Sequence, residues 1–190
     1  TDLTKGSELK GLFVFALPIF LGNLFEQLYN VTDTAIVGNF LGAEKLAAVG
    51  SSTQIVALTV SVSTGMSIGA SVIISQLYGA KRNQNMKEVV DTNLIFICLF
   101  SFFLMIFGLL YSPVFLEHLN VPAGLLSDAN AYLQTILLGL PFLFAYNTLA
   151  NVLRGLGDSK TPTFILISSV FLNVLLDVIF IKIFTYGVIG

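Results

Sequence analysis

The chain has 190 residues, of which 55 % are hydrophobic and 11 % are charged, and its formal net charge is −2. Ordinary globular domains contain about 25 % charged residues, and a soluble core of this length could not hide so much apolar surface. The composition therefore excludes an ordinary soluble domain, and it indicates a protein whose side chains face lipid or other membrane helices.

Five segments are long and apolar enough to cross a bilayer as helices, which takes roughly 20 residues for about 30 Å of hydrocarbon. Barrel strands would alternate polar and apolar residues, and this alternation is absent, so the predicted fold class is all-α, a polytopic helical membrane protein. The predicted spans are residues 12–38, 49–78, 92–111, 131–152 and 163–183. An odd number of spans that ends in the turn-like "FTYGVIG" suggests a piece of a larger protein.

Lysine and arginine residues are distributed unevenly over the two sides of the predicted membrane. Seven lie before the first span or in the loops after the second and fourth spans, and two lie on the other side. Because the cytoplasmic loops of membrane proteins are enriched in these residues, the bias predicts a cytoplasmic amino terminus. The seven are Lys5, Lys10, Lys81, Arg82, Lys87, Arg154 and Lys160, and the two are Lys45 and Lys182.

The first span contains a proline and a row of polar residues. Pro18 lacks a backbone donor, so it is the predicted hinge of a helix that is longer than the hydrocarbon is thick. Asn23, Glu26, Asn30 and Asp33 are spaced by three or four residues, which places them on one helix face. A carboxylate at the bilayer centre costs about 2.5–3.5 kcal/mol on insertion scales, and such groups are functional by default, as ion sites or proton relays.

The second span carries small residues at intervals of four, which let membrane helices approach closely. Tight helix packing is the favoured interpretation of these residues, and a substrate path along the same wall is the alternative. The two rows are Ser61, Gly65 and Gly69, and Ser63, Ser67 and Ser71.

The third span is nearly all bulky and apolar, which is typical of a helix that faces lipid. The segment after it, "SPVFLEHLNVPAGLLSDAN" (112–130), contains Pro and Gly but no Lys or Arg. It is therefore predicted as an outer loop with a short piece at the membrane interface. Cys98 is the single cysteine and His118 the single histidine, so neither an intrachain disulfide nor a His/Cys zinc site is expected.

The fourth and fifth spans are joined by a short polar connection. The fourth span contains Pro141 and ends in "NVLRGLGDSKTP" (151–162), a predicted cytoplasmic turn whose glycines suit the end of a helix. The fifth span carries Ser169, Asn173 and Asp177 at four-residue spacing. Like the row in the first span, these residues lie on one face.

The depth of the acids follows from their distance along the two helices. If spans one and five begin at residues 12 and 163, Glu26 and Asp177 both lie fourteen residues in, roughly 21 Å above the inner boundary. Asp33 lies about 10 Å further out. The predicted pocket, in which these acids exchange protons or bind sodium, is therefore nearer the outer surface. The alternative is that the acids are protonated and only bridge helices.

Four runs of the sequence carry a resemblance to a known family: "ALPIFLGNLFEQLYNVTDTAIVGNFLGAEKLAAVG", "SQLYGAKR", "YLQTILLGLPFLFAYNTLANVLRGLGDSKTP" and "NVLLDVIFI". In this order they resemble the amino-terminal signature and the second, fourth and fifth helices of multidrug and toxic compound extrusion (MATE) transporters, with the bacterial DinF-like branch most similar. The resemblance implies the amino-terminal six-helix bundle of such a transporter, with the sixth helix and the second half absent from these 190 residues.

The resemblance also implies a function, a secondary antiporter of the bacterial inner membrane that exports organic cations and other toxic compounds in exchange for H⁺ or Na⁺. Asp33, Asn173 and Asp177 match positions that the family uses for ion coupling and could hold Na⁺, and Pro18 matches the position where the first helix bends. Glu26 is assigned to the pocket from the polar row alone, as is Asn30. The implied partners are small molecules, the lipid bilayer and the missing half of the transporter, with no nucleic acid, no resident metal and no cofactor besides the coupling ion.

Two other functions remain open. A flippase for lipid-linked sugars, from the related wider superfamily, would need several basic groups for a pyrophosphate, whereas Lys and Arg here lie at the ends of the spans. A membrane-embedded hydrolase or aspartyl protease would use the carboxyl groups, but the acids bring no familiar intramembrane motif. The antiporter is the predicted function, and the protein is not expected to be an enzyme.

Overall fold

The structure is a computed structural model that describes residues 8–182, without the side chains at 8, 40, 41, 45, 177, 178 and 180–182. Within these residues every regular element is a helix, so the predicted all-α class is confirmed. The helices are α1 (Glu8–Leu41), α2 (Ala43–Gly79), α3 (Asn83–His118), α4 (Ala123–Leu138), α5 (Leu140–Gly155) and α6 (Lys160–Lys182).

The long apolar helices make this a multi-pass membrane protein. Helices α1, α2 and α3 are each long and apolar enough to cross a membrane, and α4 and α5 together form a fourth, bent span. Helix α6 is apolar from Lys160 to Leu176 and continues as helix to Lys182. The end of the fifth predicted span, at residue 183, and the "FTYGVIG" segment lie outside the described residues.

The prediction of an outer loop over residues 112–130 is wrong, because α3 continues to His118 and α4 begins at Ala123. Pro113 lies inside α3, where its missing N–H leaves the Leu109 carbonyl without its helical donor. The helix nevertheless continues through the proline without a break, from Asn83 to His118, and the Ser112 hydroxyl lies 3.4 Å from that carbonyl.

The fourth predicted span bends by 46° between α4 and α5. Pro141, at the start of α5, cannot donate to the Leu137 carbonyl, and its ring would clash with that carbonyl in a straight helix. The break therefore falls at Gly139, two residues before the proline, where α4 ends.

Helices α2 and α5 pack along a polar seam that one of the two small-residue rows of α2 supplies. Its hydrogen bonds join the Asn147 amide to Ser63 Oγ (3.1 Å), Ser67 Oγ to Thr148 Oγ1 (3.3 Å) and Ser71 Oγ to the Asn151 carbonyl (2.8 Å). This row forms the tight packing that the spacing predicts. The other row is open in this structure, since a Cβ atom at Gly65 or Gly69 would meet nothing within 4 Å.

Helix α1 packs mainly on α6, and this pair meets the rest of the bundle through α2 and α5. The Thr163 hydroxyl shares its proton between the Ser159 carbonyl, at 2.8 Å, and the Pro18 carbonyl of α1, at 3.1 Å. Gly22 lets α6 approach closely, because a Cβ atom there would lie 3.3 Å from a Leu166 methyl group. The two pairs of helices enclose the cavity described next.

Candidate functional site

A cavity of about 400 Å³ lies between the α1–α6 pair and the α2–α5 pair. Its volume is in the range of small-molecule pockets, roughly 300–1,000 Å³. Val60, Leu143 and Leu166 supply apolar surface to its wall. Its polar side chains come from four helices. They are Asn23 and Glu26 of α1, Thr64 of α2, Tyr146, Asn147 and Arg154 of α5, and Ser169 of α6.

Two members of the predicted polar row on α1, Asn23 and Glu26, line this cavity. The contact of α1 with α6 turns this face inward: Gly22 packs against Leu166 one turn before Glu26, and the rings of Phe25 and Phe171 lie with their centroids 6.2 Å apart. The upper members of the row do not line it. Asp33 is half-buried on α1, and Asn30 is exposed, as are Asn23 and Glu26.

On α6, Ser169 and Asn173 are both exposed, and of the two only Ser169 lines the cavity. Asp177 lies on α6, and its side chain is outside the described residues. The structure therefore brings together Asn23, Glu26 and Ser169 from the two predicted rows.

The prediction that Glu26 and Asp177 lie at the same depth is wrong, because α1 and α6 pack with a different offset between their residues. Residues in contact across the two helices differ by 141 to 146 in number, as in Gly22 with Thr163 and Phe25 with Phe171. Glu26 is therefore level with residues 167–172 of α6, at least about 7 Å below position 177. The predicted depth is wrong because it is counted from where each apolar run begins, whereas close contacts such as Gly22 with Leu166 set the register of the two helices.

Arg154 is the charged cavity residue that the sequence argument misses. It is half-buried in the last turn of α5 and lines the cavity, whereas the sequence predicts it in the cytoplasmic turn. Together with Asn147 and Asn151 it stands at offsets 0, 4 and 7 along α5, which is a one-face spacing. The same test that singles out the rows on α1 and α6 would have found it.

Two further side chains on α5 are fixed in the cavity wall by hydrogen bonds. The Tyr146 hydroxyl donates to the Pro162 carbonyl at 3.3 Å, and the Asn147 amide donates to Ser63 Oγ at 3.1 Å. The cavity wall therefore contains an acid from α1 and a guanidinium from α5.

Comparison with known proteins finds relatives over nearly the whole chain. The sequence profile of the MatE family matches residues 18–179. The "Probable multidrug resistance protein YpnP" of Bacillus subtilis (strain 168) is 34 % identical over 189 residues, 100 % of this chain and 42 % of that protein. The "Probable multidrug resistance protein YoeA" of the same organism is 31 % identical over 188 residues, 98 % of this chain and 41 % of that protein.

A solved structure of a "MOP superfamily transporter" from Pyrococcus furiosus, described by the "reverse polarity" of its binding pocket, has the same fold. It matches with a TM-score of 0.93 at 26 % identity, covering 100 % of this chain and 42 % of that one. The chain thus spans about two fifths of the length of the relatives it matches.

Proposed function

The chain belongs to the MatE family, and from that premise we propose that it forms the amino-terminal lobe of a multidrug efflux antiporter. In this proposal the complete protein exports amphipathic organic cations in exchange for H⁺ or Na⁺. The observation that carries it is the cavity between α1–α6 and α2–α5, in which Glu26 and two carboxamides face a space of drug-sized volume. A cation that leaves water for such a cavity needs a fixed negative partner, and Glu26 is that partner.

The ion-coupling site of the proposal lies further out on α1, at Asp33, and it extends to α6 through Asn173 and Asp177. The observed register supports this grouping, because position 177 is level with Asp33 when the offset of about 145 residues between Pro18 and Thr163 is continued along both helices. Asp33 is half-buried, which suits a carboxyl group that binds and releases a positive ion.

Pro18 is the proposed hinge of α1. The helix is continuous through it, from Glu8 to Leu41, but the missing N–H leaves the Val14 carbonyl without its helical donor. The Pro18 carbonyl accepts a hydrogen bond from Thr163 Oγ1. Bending at this point would move the outer part of α1, with Glu26 and Asp33, relative to a base that stays fixed on α6.

The test uses the complete transporter in proteoliposomes, with ethidium inside and an imposed proton or sodium gradient. We expect Asp33→Asn to abolish gradient-driven efflux while the protein still inserts into the membrane. Asp91→Asn is the matched control, because Asp91 is an exposed acid on α3 outside the proposed sites, and it should leave efflux unchanged. Efflux by Asp33→Asn at the wild-type rate would overturn the assignment, and the gradient that drives the wild type identifies the coupling ion.

Arg154 gives one observation in favour of the second candidate, the flippase for lipid-linked sugars. Arg154 lies at the end of its span as expected, in the last turn of α5, but it also lines the cavity. One guanidinium is fewer than a pyrophosphate group calls for, so the antiporter remains the proposal. Translocation of a fluorescent lipid-linked sugar, in vesicles where ethidium efflux is absent, would favour the flippase.

The third function considered from the sequence, a membrane-embedded hydrolase, is not retained. The MatE profile and the named multidrug resistance proteins identify a transporter family, so the protein is not an enzyme.

A further inference from the structure

Ser159 has a buried hydroxyl group without a hydrogen-bond partner. It lies directly before α6, which begins at Lys160, and only 1 % of its surface is exposed. Among the described residues nothing pairs with its Oγ atom. The Nε atom of Arg154, which is also buried and unpaired there, cannot accept the Ser159 proton, because a guanidinium group has donors only. A buried polar group without a partner is unfavourable, so an acceptor in another conformation would explain a hydroxyl group at this position.

The backbone carbonyl of Val14 on α1 is the matching acceptor. Pro18 has no N–H group, so the helical hydrogen bond that this carbonyl would accept is missing. In membrane helices the carbonyls that a proline frees are satisfied by neighbouring helices and by Ser or Thr side chains. The hinge of α1 therefore offers an acceptor to a hydroxyl group on the helix packed against it.

Ser159 and Val14 are level with each other on the two facing helices. Helices α1 and α6 run in the same direction, since residues further along α1 contact residues further along α6. The Thr163 hydroxyl lies 3.1 Å from the Pro18 carbonyl and 2.8 Å from the Ser159 carbonyl, so Ser159 is one turn inward of Thr163. Val14 is likewise four residues, about one turn, before Pro18. The two helices thus carry two donor–acceptor pairs one above the other, and the outer pair is bonded whereas the Ser159 hydroxyl of the inner pair is free.

We propose that Ser159 is a positioning residue for the hinge of α1, and that its hydroxyl donates to the Val14 carbonyl when α1 bends at Pro18. In the continuous helix the proline ring lies against that carbonyl, and a bend separates the two and tilts the carbonyl outwards. The new bond holds the base of α1 on α6 at both Val14 and Pro18 while the outer part of α1 moves. It therefore favours the bent state over the continuous one. This inference rests on the proposed function, and it adds the group that stabilises the second state of the hinge.

The test measures the bend in the complete protein, in detergent micelles, by double electron–electron resonance. Spin labels are attached at Leu28 on α1 and Leu110 on α3, which are both exposed, after Cys98 and any further cysteines are replaced by serine. Leu28 is ten residues beyond Pro18, about 15 Å along the helix, so a kink of about 20° or more moves it by about 5 Å or more. We expect two distances, and their ratio is recorded at acidic and alkaline pH, with and without Na⁺, because the proposed coupling ion should shift it.

Removing the hydroxyl group should act on the bent state alone. We expect Ser159→Ala to lower the ratio of bent to continuous molecules by about 2- to 10-fold, as for the loss of one neutral hydrogen bond, and to slow gradient-driven ethidium efflux. Its melting temperature should equal or exceed that of the wild type, because alanine removes an unpaired buried group. Ser159→Thr keeps the hydroxyl and should restore the ratio. Ser101→Ala is the matched control, because Ser101 is buried and bonds within α3, to the Cys98 carbonyl at 2.9 Å, and it should leave the ratio unchanged.

Three outcomes would overturn the role of Ser159. The first is a single distance in the wild type under every condition, a result that needs no variant to fold. The second is a Ser159→Ala protein that keeps the wild-type ratio or melts well below the wild type, since either result assigns the hydroxyl to the present conformation. The third is a lowered ratio that Ser159→Thr does not restore. Absence of ethidium efflux by the wild type would instead count against the proposed antiporter, and the ratio of the two distances would still decide the role of Ser159.

Discussion

Replacing Gly155 by alanine should weaken the packing of α5 on α2. A Cβ atom at this position would lie 2.9 Å from Ser71 Oγ and 3.0 Å from the Ser71 carbonyl oxygen. The carbonyl belongs to the backbone of α2, so rotation of a side chain cannot relieve that contact. The positive-φ glycines among the described residues are Gly42 and Gly157, so alanine fits the backbone conformation of Gly155 and the cost is steric.

The magnitude follows from two opposing effects. Overpacking of a well-packed contact costs about 1–3 kcal/mol. Alanine is a better helix former than glycine by about 0.8–1 kcal/mol in a helix interior, and the gain is smaller here because Gly155 is the last residue of α5. We therefore expect the free energy of unfolding to fall by about 1–2 kcal/mol. The hydrogen bond from Ser71 Oγ to the Asn151 carbonyl, 2.8 Å long, should be distorted as α5 moves outward.

The assay is the unfolding of the chain in detergent micelles, followed by the helical circular dichroism signal as a denaturing detergent is added. Gly65→Ala is the matched control, because a Cβ atom at Gly65 meets nothing within 4 Å, and it should raise the free energy of unfolding by about 0.5–1 kcal/mol. If Gly155→Ala is as stable as the wild type while Gly65→Ala behaves as expected, the close contact between α2 and α5 at Gly155 is refuted.

Two further predictions concern polar groups that the same unfolding assay can test. Asp158 receives hydrogen bonds from the side chain and the backbone N–H of Thr161, which hold the pKa of its carboxyl below the ordinary value. The stabilisation by the Asp158 carboxylate should be complete above the ordinary pKa of an aspartate, and it should be lost as the pH falls through the lowered pKa. Asp158→Ala should lower the free energy of unfolding by about 0.5–2 kcal/mol and remove this pH dependence. Ser112→Ala should cost about 1–3 kcal/mol, because Ser112 is fully buried and bonds to Asn130 at 2.7 Å and Gln134 at 3.3 Å; equal stability of the variant would contradict the network.

The helices could be predicted from the sequence because their cause is local, whereas their ends depend on individual hydrogen bonds. A run of apolar residues in lipid has to satisfy its backbone as a helix, and this holds whatever packs against it. The continuation of α3 past Pro113 leaves a single carbonyl, that of Leu109, without its backbone donor, and the rest of the helix keeps its bonds. Proline and the absence of Lys and Arg predict a loop over this segment, but they do not tell whether a helix can continue through the proline.

The candidate site was predicted in part, for a similar reason. The spacing of Asn23 and Glu26 fixes their common face, and the structure turns that face to a cavity. The depth of Glu26 relative to α6 was wrong, because helix register is set by close contacts such as Gly22 with Leu166. Arg154 was missed because it lies next to the polar turn in the sequence and is counted with the charges of that turn. In the structure it belongs to the last turn of α5 and lines the cavity.

Under the proposed function, the ion site and the substrate site lie at different depths on the same helix. Asp33 is seven residues beyond Glu26, about 10 Å along α1, so an ion bound at Asp33 does not contact a cationic group held by Glu26. The two sites can affect each other only through a movement of α1 against its partners. The contact of Thr163 with the Pro18 carbonyl fixes the inner end of α1 on α6, while Arg154 belongs to α5. A bend above Pro18 would therefore change the separation between Glu26 and the α5 wall of the cavity, and with it the shape that the cavity offers to a substrate.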